Sequence, residues 1–143
     1  MVSAKEVLSV LTEAKRLLNA HPKAWIKWHG FGDGVYEPTG PYDHTPQSRM
    51  EEARSFCALG ASVKAAGGYT MAFSAARSKL ATAAIEVAKQ LGRPMESRGS
   101  SHERHVAAQF NNTSDSVEEV NKMFCHAINE VVNAVAKEEH NID

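Results

Sequence analysis

Cysteine is scarce in this sequence: Cys57 and Cys125 are the two present, and no CxxC spacing occurs, which excludes a disulfide framework. Long apolar runs are also missing, since no stretch approaches the ~20 apolar residues of a membrane-spanning helix. An excess of either charge is absent as well, because the formal net charge of the 143 residues is −1. We therefore predict a cytoplasmic protein with no membrane partner, and we do not expect it to bind a nucleic-acid duplex.

What the sequence does contain is a set of apolar positions at helical spacing, several of them preceded by a capping signal. Ser3 and Glu6 form a capping box, in which the serine caps the first helix and the glutamate reaches back to it. The same serine-to-glutamate spacing recurs at Ser48 and again at Ser116. We predict a single all-α domain over residues 1–143, a compact bundle of four main helices. Their predicted bounds are 1–20, 48–66, 70–91 and 116–136, and a loop with a short helix occupies 92–115.

The second of these helices is predicted to be the central one. Residues 54–61 are small or apolar around most of the helix circumference, as in a helix that its neighbours bury. Gly60 would lie in mid-helix at a cost of ~1 kcal/mol, which indicates that close packing keeps it there. The apolar neighbours of Cys57 favour a core thiol over a nucleophile.

A long segment over residues 21–47 separates the first two helices. It is rich in glycine and proline and holds both tryptophans of the chain. Loops above ~15 residues without secondary structure are uncommon in domains and tend to be functional. We predict an ordered aromatic loop, in which the turn signal Asp33-Gly34 allows a short β-hairpin between residues 27–28 and 35–36.

Three separated segments form a recognisable combination: Trp25-Ile26-Lys27, the FCALGA run at residues 56–61, and Phe110-Asn111-Asn112 before the final helix. Together they resemble an uncharacterised family, a domain of unknown function in small bacterial and bacteriophage proteins. The family pattern reads loosely as a tryptophan, CALGA and Trp-Asn-Asp. The last triplet differs here, so no role for a carboxylate carries over. The resemblance implies an all-α fold and a prokaryotic or phage origin, and it implies no mechanism.

An aromatic and cationic cluster in the long loop is the predicted binding site. Aromatic faces beside a cation suit a nucleobase or another planar ligand, since stacking contributes ~1–3 kcal/mol per base. The alternative is that these rings only close one end of the bundle. Two asparagines before the final helix would either hold an anion at the helix start or serve as caps. The predicted ligand-binding residues are Trp25, Lys27, Trp28, His29, Phe31, Asn111 and Asn112.

Two histidines, His102 and His105, have the i, i+3 spacing that would let them share a metal ion on one helix face. The spacing is one residue short of the HExxH motif of zinc peptidases. The alternative is a solvated polar helix start, and we predict no metal. Loop residues would have to complete such a site, the candidates being His29, Asp33, Asp43 and His44.

The function predicted from these observations is binding rather than catalysis. No phosphate loop, dinucleotide fingerprint or serine elbow occurs, so we predict no cofactor and no catalytic residue. The prediction is a non-enzymatic phage-type or bacterial accessory protein that sequesters a small, nucleotide-like ligand or blocks a host protein. Two alternatives stay open. One is a metal-dependent hydrolase using His102 and His105, and the other is a structural protein that forms a homo-oligomer through small-residue helix faces around Gly60.

Overall fold

Helices make up most of the chain that the computed structural model describes, namely residues 2–27, 31–32, 53–95 and 100–140, without the side chains of residues 31–32 and 100–104. The prediction of a helical protein is confirmed. The described helices number five, where the sequence predicts four main helices and a short one. They are α1 (Ala4–Leu18), α2 (Ala58–Ala66), α3 (Met71–Gln90), α4 (Ser100–Thr113) and α5 (Val117–His140), and they accompany two strands, β1 (Phe31–Gly32) and β2 (Ser55–Phe56).

Side-chain caps and a glycine set several helix ends where the sequence predicts them. Ser3 Oγ accepts from the Glu6 amide at 3.2 Å, and the Glu6 carboxylate reaches back to the Ser3 amide, so this capping box is confirmed. Thr70 Oγ1 caps α3 by accepting from the Phe73 amide at 3.1 Å. Gly67 has a φ of 79° and ends α2 in the left-handed conformation, which a residue with a Cβ rarely adopts. Local sequence therefore determines these boundaries.

The predicted central helix is shorter than its sequence pattern suggests. Residues 48–52, with the expected serine cap, lie outside the described residues. Residues 53–57 are not helical, so the prediction that the helix includes them is wrong, and α2 begins at Ala58. The small-residue face predicted for this helix is nevertheless buried, since Gly60 and Ala61 both lie in the interior.

The residues just before α2 are extended because their backbone pairs with another part of the chain. Phe56 N donates to Ala24 O at 2.7 Å, and Ile26 N donates to Phe56 O at 3.0 Å. These bonds take the groups that a helix would have to use internally. Cys57 then serves as the N-cap of α2, with its Sγ accepting from the Gly60 amide at 3.3 Å.

The short β-structure also differs from the predicted hairpin. Of the residues predicted to form its strands, Lys27 lies in a bend and the other three lie outside the described residues. The described pairing is antiparallel between β1 and β2, with Phe31 opposite Phe56 and Gly32 opposite Ser55. Here β2 pairs with the chain after α1 on one side and with β1 on the other.

Helix α3 is the central helix, because it packs against each of the other four described helices. The sequence pattern predicted this central position for the helix around Cys57. Five of its eight buried residues are alanines, and their small side chains let neighbouring helices approach closely. Large side chains from the other helices complete the core, among them Leu11 of α1, Phe110 of α4 and Phe124 of α5. No helix in the described ranges is long and apolar enough to cross a membrane.

Arg93 links the end of α4 to the first turn of α5. Its guanidinium donates to Thr113 O at 2.7 Å, pairs with the Glu119 carboxylate at 2.5 Å and lies 5.9 Å from the centroid of the Phe110 ring. Glu119 Oε1 also accepts from the Asp115 amide at 3.3 Å. In the predicted capping box this carboxylate would accept from the Ser116 amide, whereas in the structure it accepts from the amide one residue earlier. The contact joins the first turn of α5 to the residues that follow α4.

We predict that Leu11→Ala lowers the free energy of unfolding by about 2–5 kcal/mol, because Leu11 is fully buried and the substitution leaves a cavity. Leu8→Ala is the matched control, since Leu8 lies on the same helix but is only half-buried, and it should cost roughly half of that or less. Urea denaturation measures both. Equal losses would contradict this assignment of the core.

Candidate binding site beside Trp25

The backbone of residues 24–26 lies beside β2 and forms the base of the candidate site. The backbone of Trp25 forms a parallel β-bridge with Phe56, and Ser55 Oγ donates to Lys23 O at 2.8 Å. Ala24 is fully buried. Because successive side chains of an extended segment point to opposite sides, Trp25 points away from Ala24, and it is half-buried.

A buried amide of α4 holds the Trp25 indole. Trp25 Nε1 donates to Asn111 Oδ1 at 2.8 Å, and the Ala58 amide donates to the same oxygen at 3.0 Å. Asn111 Nδ2 donates to Ile26 O at 3.1 Å and to Asn112 Oδ1 at 3.2 Å. Asn111 has no exposed surface. This one side chain therefore joins the segment after α1, the start of α2 and the last turn of α4.

These four hydrogen bonds use the whole capacity of the Asn111 amide. An amide oxygen accepts two hydrogen bonds and an amide nitrogen donates two. No donor or acceptor of Asn111 is left for a ligand, and the residue lies inside α4 rather than in a loop. Its role therefore differs from the predicted ligand contact: Asn111 positions Trp25.

Trp25 lines an open cleft of about 620 Å³ between the end of α1 and the start of α5. A site for a small molecule typically has roughly 300–1,000 Å³, so the size is suitable. Most of the lining is apolar, and its polar members are an amide, an imidazole and a carboxylate. The lining residues are Leu18, Asn19, Ala20, His21, Pro22, Trp25, Val117 and Glu118.

The rim of this cleft is held by side chains that bond within the protein. Asn19 and Asn121 exchange hydrogen bonds between their side-chain amides at 2.8 and 3.0 Å. His21 Nδ1 accepts from the Lys23 amide at 3.3 Å, which makes Nε2 the donor to Arg54 O at 2.7 Å. Both imidazole nitrogens are therefore engaged, and the tautomer is assigned by these two partners.

The other residues of the predicted binding cluster have different positions. Lys27 is exposed, and the backbone of Phe31 belongs to β1 and pairs with β2. Trp28 and His29 lie outside the described residues. Asn112 is half-buried within α4 and accepts from the Asn111 amide. The structure thus joins three of the predicted residues by hydrogen bonds, since Asn111 bonds to Trp25 and to its neighbour Asn112.

The two histidines predicted as metal ligands lie on the same helix, and none of the described residues supplies a third ligand. His102 and His105 both lie in α4, and His105 is exposed. The loop residues that would complete the site lie outside the described residues; they are His29, Asp33, Asp43 and His44. Among the residues that are described, no group of three histidine, cysteine or acidic side chains is arranged to hold a metal ion.

Trp25 is the one described cleft residue that was predicted from the sequence, and the other seven were not: Leu18, Asn19, Ala20, His21, Pro22, Val117 and Glu118. They belong to the last turn of α1, the turn after it and the first turn of α5. Each of these segments is recognisable as a helix end from its sequence. That the two ends meet is a consequence of how α1 and α5 pack, and no local pattern carries that information.

The fold is that of a small helical protein, and an open cleft lined by Trp25 lies between two of its helix ends. The family model of DUF6197, a family of unknown function, matches residues 2–130, and the chain belongs to this family. The prediction that the chain belongs to a family of unknown function is therefore confirmed, and the bacterial or bacteriophage origin stays a prediction. No curated protein and no solved structure matches the chain.

The three segments that carried the resemblance meet in this structure. Trp25, Ala58 of the FCALGA run and Asn111 are all partners in the hydrogen-bond network described above. The segments are far apart in sequence, with Asn111 lying 86 residues from Trp25 and 53 from Ala58. Their combination has a direct structural meaning, since each supplies a partner that the others need.

We predict that Asn111→Ala lowers the free energy of unfolding by about 3 kcal/mol or more, because it leaves buried partners unsatisfied at ~1–3 kcal/mol each. Gln109→Ala is the control on the exposed face of α4, and it should change stability by no more than ~0.5 kcal/mol. Thermal and urea denaturation compare the two variants.

Asn111→Asp tests the direction of the donors in the same network. The new carboxylate would keep the acceptor for Trp25 but place negative charge against Ile26 O and Asn112 Oδ1. Protonation restores one donor, so this variant should be closer to wild type at pH 4 than at pH 7, each compared with wild type at the same pH. An equal deficit at both pH values would contradict the assigned orientation of the amide.

Proposed function

We propose that this protein binds a small ligand in the Trp25 cleft and does not act as an enzyme. The observation that carries the proposal is the Trp25 indole, which is half-buried, lines the cleft and has its N–H bonded to the buried Asn111 amide. A ring held in this way offers its face and carbon edge to a ligand. Because the ring is already ordered, a ligand that stacks on it does not have to immobilise it, which reduces the cost of binding.

The wider functions predicted from the sequence belong to the same binding class. They are the sequestration of a nucleotide-like ligand and the blocking of a host protein by a phage-type or bacterial accessory protein. The volume of the cleft favours a small molecule at this position. The metal-dependent hydrolase stays a prediction that depends on the spacing of His102 and His105.

A cleft-filling substitution tests the proposal. Ala20 is exposed and lines the cleft, so Ala20→Phe should reduce ligand binding at least tenfold by occupying the space beside the indole. Ala136→Phe is the control, because Ala136 is exposed on α5 away from the lining residues. The probes are small aromatic compounds with positive, zero and negative charge, and the indole N–H resonance of Trp25 reports binding.

We expect at least one probe to shift the Trp25 resonance in the wild type and in Ala136→Phe, but not in Ala20→Phe. The Trp28→Phe variant assigns the two indole resonances. If no probe shifts the resonance, or if Ala20→Phe binds as well as its control, the cleft is not a ligand site.

A second candidate function is self-association through the turn between α2 and α3. Tyr69 and Met71 are 67% and 71% exposed, although both are large and apolar. The Tyr69 ring packs edge-to-face on Phe73 at 5.4 Å between centroids, so it is ordered at the surface. We propose that a second copy of the chain covers these two side chains, since their burial would remove apolar area from water.

The double substitution Tyr69→Ser and Met71→Ser should shift any dimer towards monomer, since it removes apolar area that an interface would bury. Val132→Ser is the control, because Val132 is 46% exposed on another helix. Sedimentation velocity over a concentration series measures the distribution. A wild-type chain that stays monomeric at every concentration would rule out this candidate.

A further inference from the structure

The charge of the cleft indicates which class of ligand it takes. Among the described residues that line the cleft, Glu118 is the one with a formal charge at neutral pH when histidine is neutral, and none of them is a lysine or an arginine. Glu118 is exposed and has no ion-pair partner within the described ranges. In the part of the lining that the structure describes, the cleft therefore combines an apolar wall with one carboxylate that has no ion-pair partner.

The remaining polar groups of the lining do not offset this negative charge. The His21 nitrogens are both hydrogen-bonded to the backbone, and the Asn19 amide bonds to Asn121 and to Lys15 O. An α-helix start attracts anions, and α5 starts at this cleft. Its first turn, however, already carries the carboxylates of Glu118 and Glu119, and their negative charge offsets the attraction of the helix start for an anionic ligand.

The indole of Trp25, which lines the cleft, favours the same sign of charge. The π face of an indole is the negative part of its quadrupole, so it attracts an ammonium or guanidinium group within about 6 Å of the ring centroid. A phosphate group would find neither a cation nor a positive ring face among the lining residues that the structure describes. Apolar neighbours such as Leu18, Pro22 and Val117 would cover the carbon skeleton of the ligand.

We propose that the ligand of the Trp25 cleft is a small organic cation, an amine or guanidinium compound with a planar or apolar body. The charged group pairs with Glu118, and the body stacks on Trp25. This inference depends on the proposed function, because it names the ligand class of the same cleft. It selects against the nucleotide-like ligand that the aromatic and cationic loop pattern suggests.

A matched pair of probes tests the sign of the charge: 2-phenylethylamine and 3-phenylpropionate share a phenyl ring and differ in the charge of the terminal group. We expect the amine to bind at least tenfold more tightly, measured from the Trp25 indole resonance and by calorimetry. Adenosine monophosphate serves as the phosphate-bearing probe and should bind more weakly than the amine.

Glu118→Gln should weaken binding of the amine about fivefold and leave 3-phenylpropionate unchanged or slightly improved, because only the cation loses a partner. Glu86→Gln is the control, since it removes the same charge from an exposed position on α3 and should leave both affinities unchanged.

The outcomes separate this inference from the proposed function. If 3-phenylpropionate or adenosine monophosphate binds as tightly as the amine, and Ala20→Phe abolishes that binding, the cleft is a ligand site but its ligand is not a cation. If Glu118→Gln and Glu86→Gln weaken the amine equally, Glu118 is not the partner and the inference is overturned. If Ala20→Phe leaves all binding intact, the proposed function itself fails.

Discussion

The amide of Asn111 is the interaction on which the rest of this structure depends. It is fully buried, and its oxygen and nitrogen bond to the indole of Trp25, the first amide of α2, the carbonyl of Ile26 and a neighbouring amide. A buried polar group without a partner costs roughly 1–3 kcal/mol. Each of these segments is therefore held by the need to satisfy the others, and a hydrophobic residue of the same size would meet none of those needs.

This network also explains how a tryptophan near the surface becomes part of a site. The indole is hydrogen-bonded at its N–H, the backbone of residues 24–26 is hydrogen-bonded to β2, and the Trp25 side chain lines the cleft. The fold supplies orientation, and the two helix ends supply the other walls. Membership of DUF6197 names the family without naming an activity, so the chemistry of the cleft is the basis for a functional proposal.

The segment before α2 shows where local pattern and tertiary structure compete. Residues 54–61 have the composition of a buried helix, and half of that run is helical from Ala58 onward. Phe56 instead bonds through its backbone to Ala24 and Ile26, which lie more than 25 residues earlier in the chain. A sequence pattern reports the burial of Phe56 correctly, because Phe56 is 2% exposed, but it cannot distinguish a buried helix from a buried strand over so short a run.

The sequence by itself determined the helical class, the starts of α1, α3 and α5 to within about four residues, and the family. Those features depend on capping residues, glycines and apolar periodicity, which act over a few neighbouring positions. Sequence also singled out Trp25 and Asn111, though for direct ligand contact. Only the tertiary structure decided that the two residues bond to each other, that α3 contacts every other described helix, and that Glu118 and Trp25 line the same cleft. These are contacts between residues distant in the chain, and their energies depend on how whole helices pack.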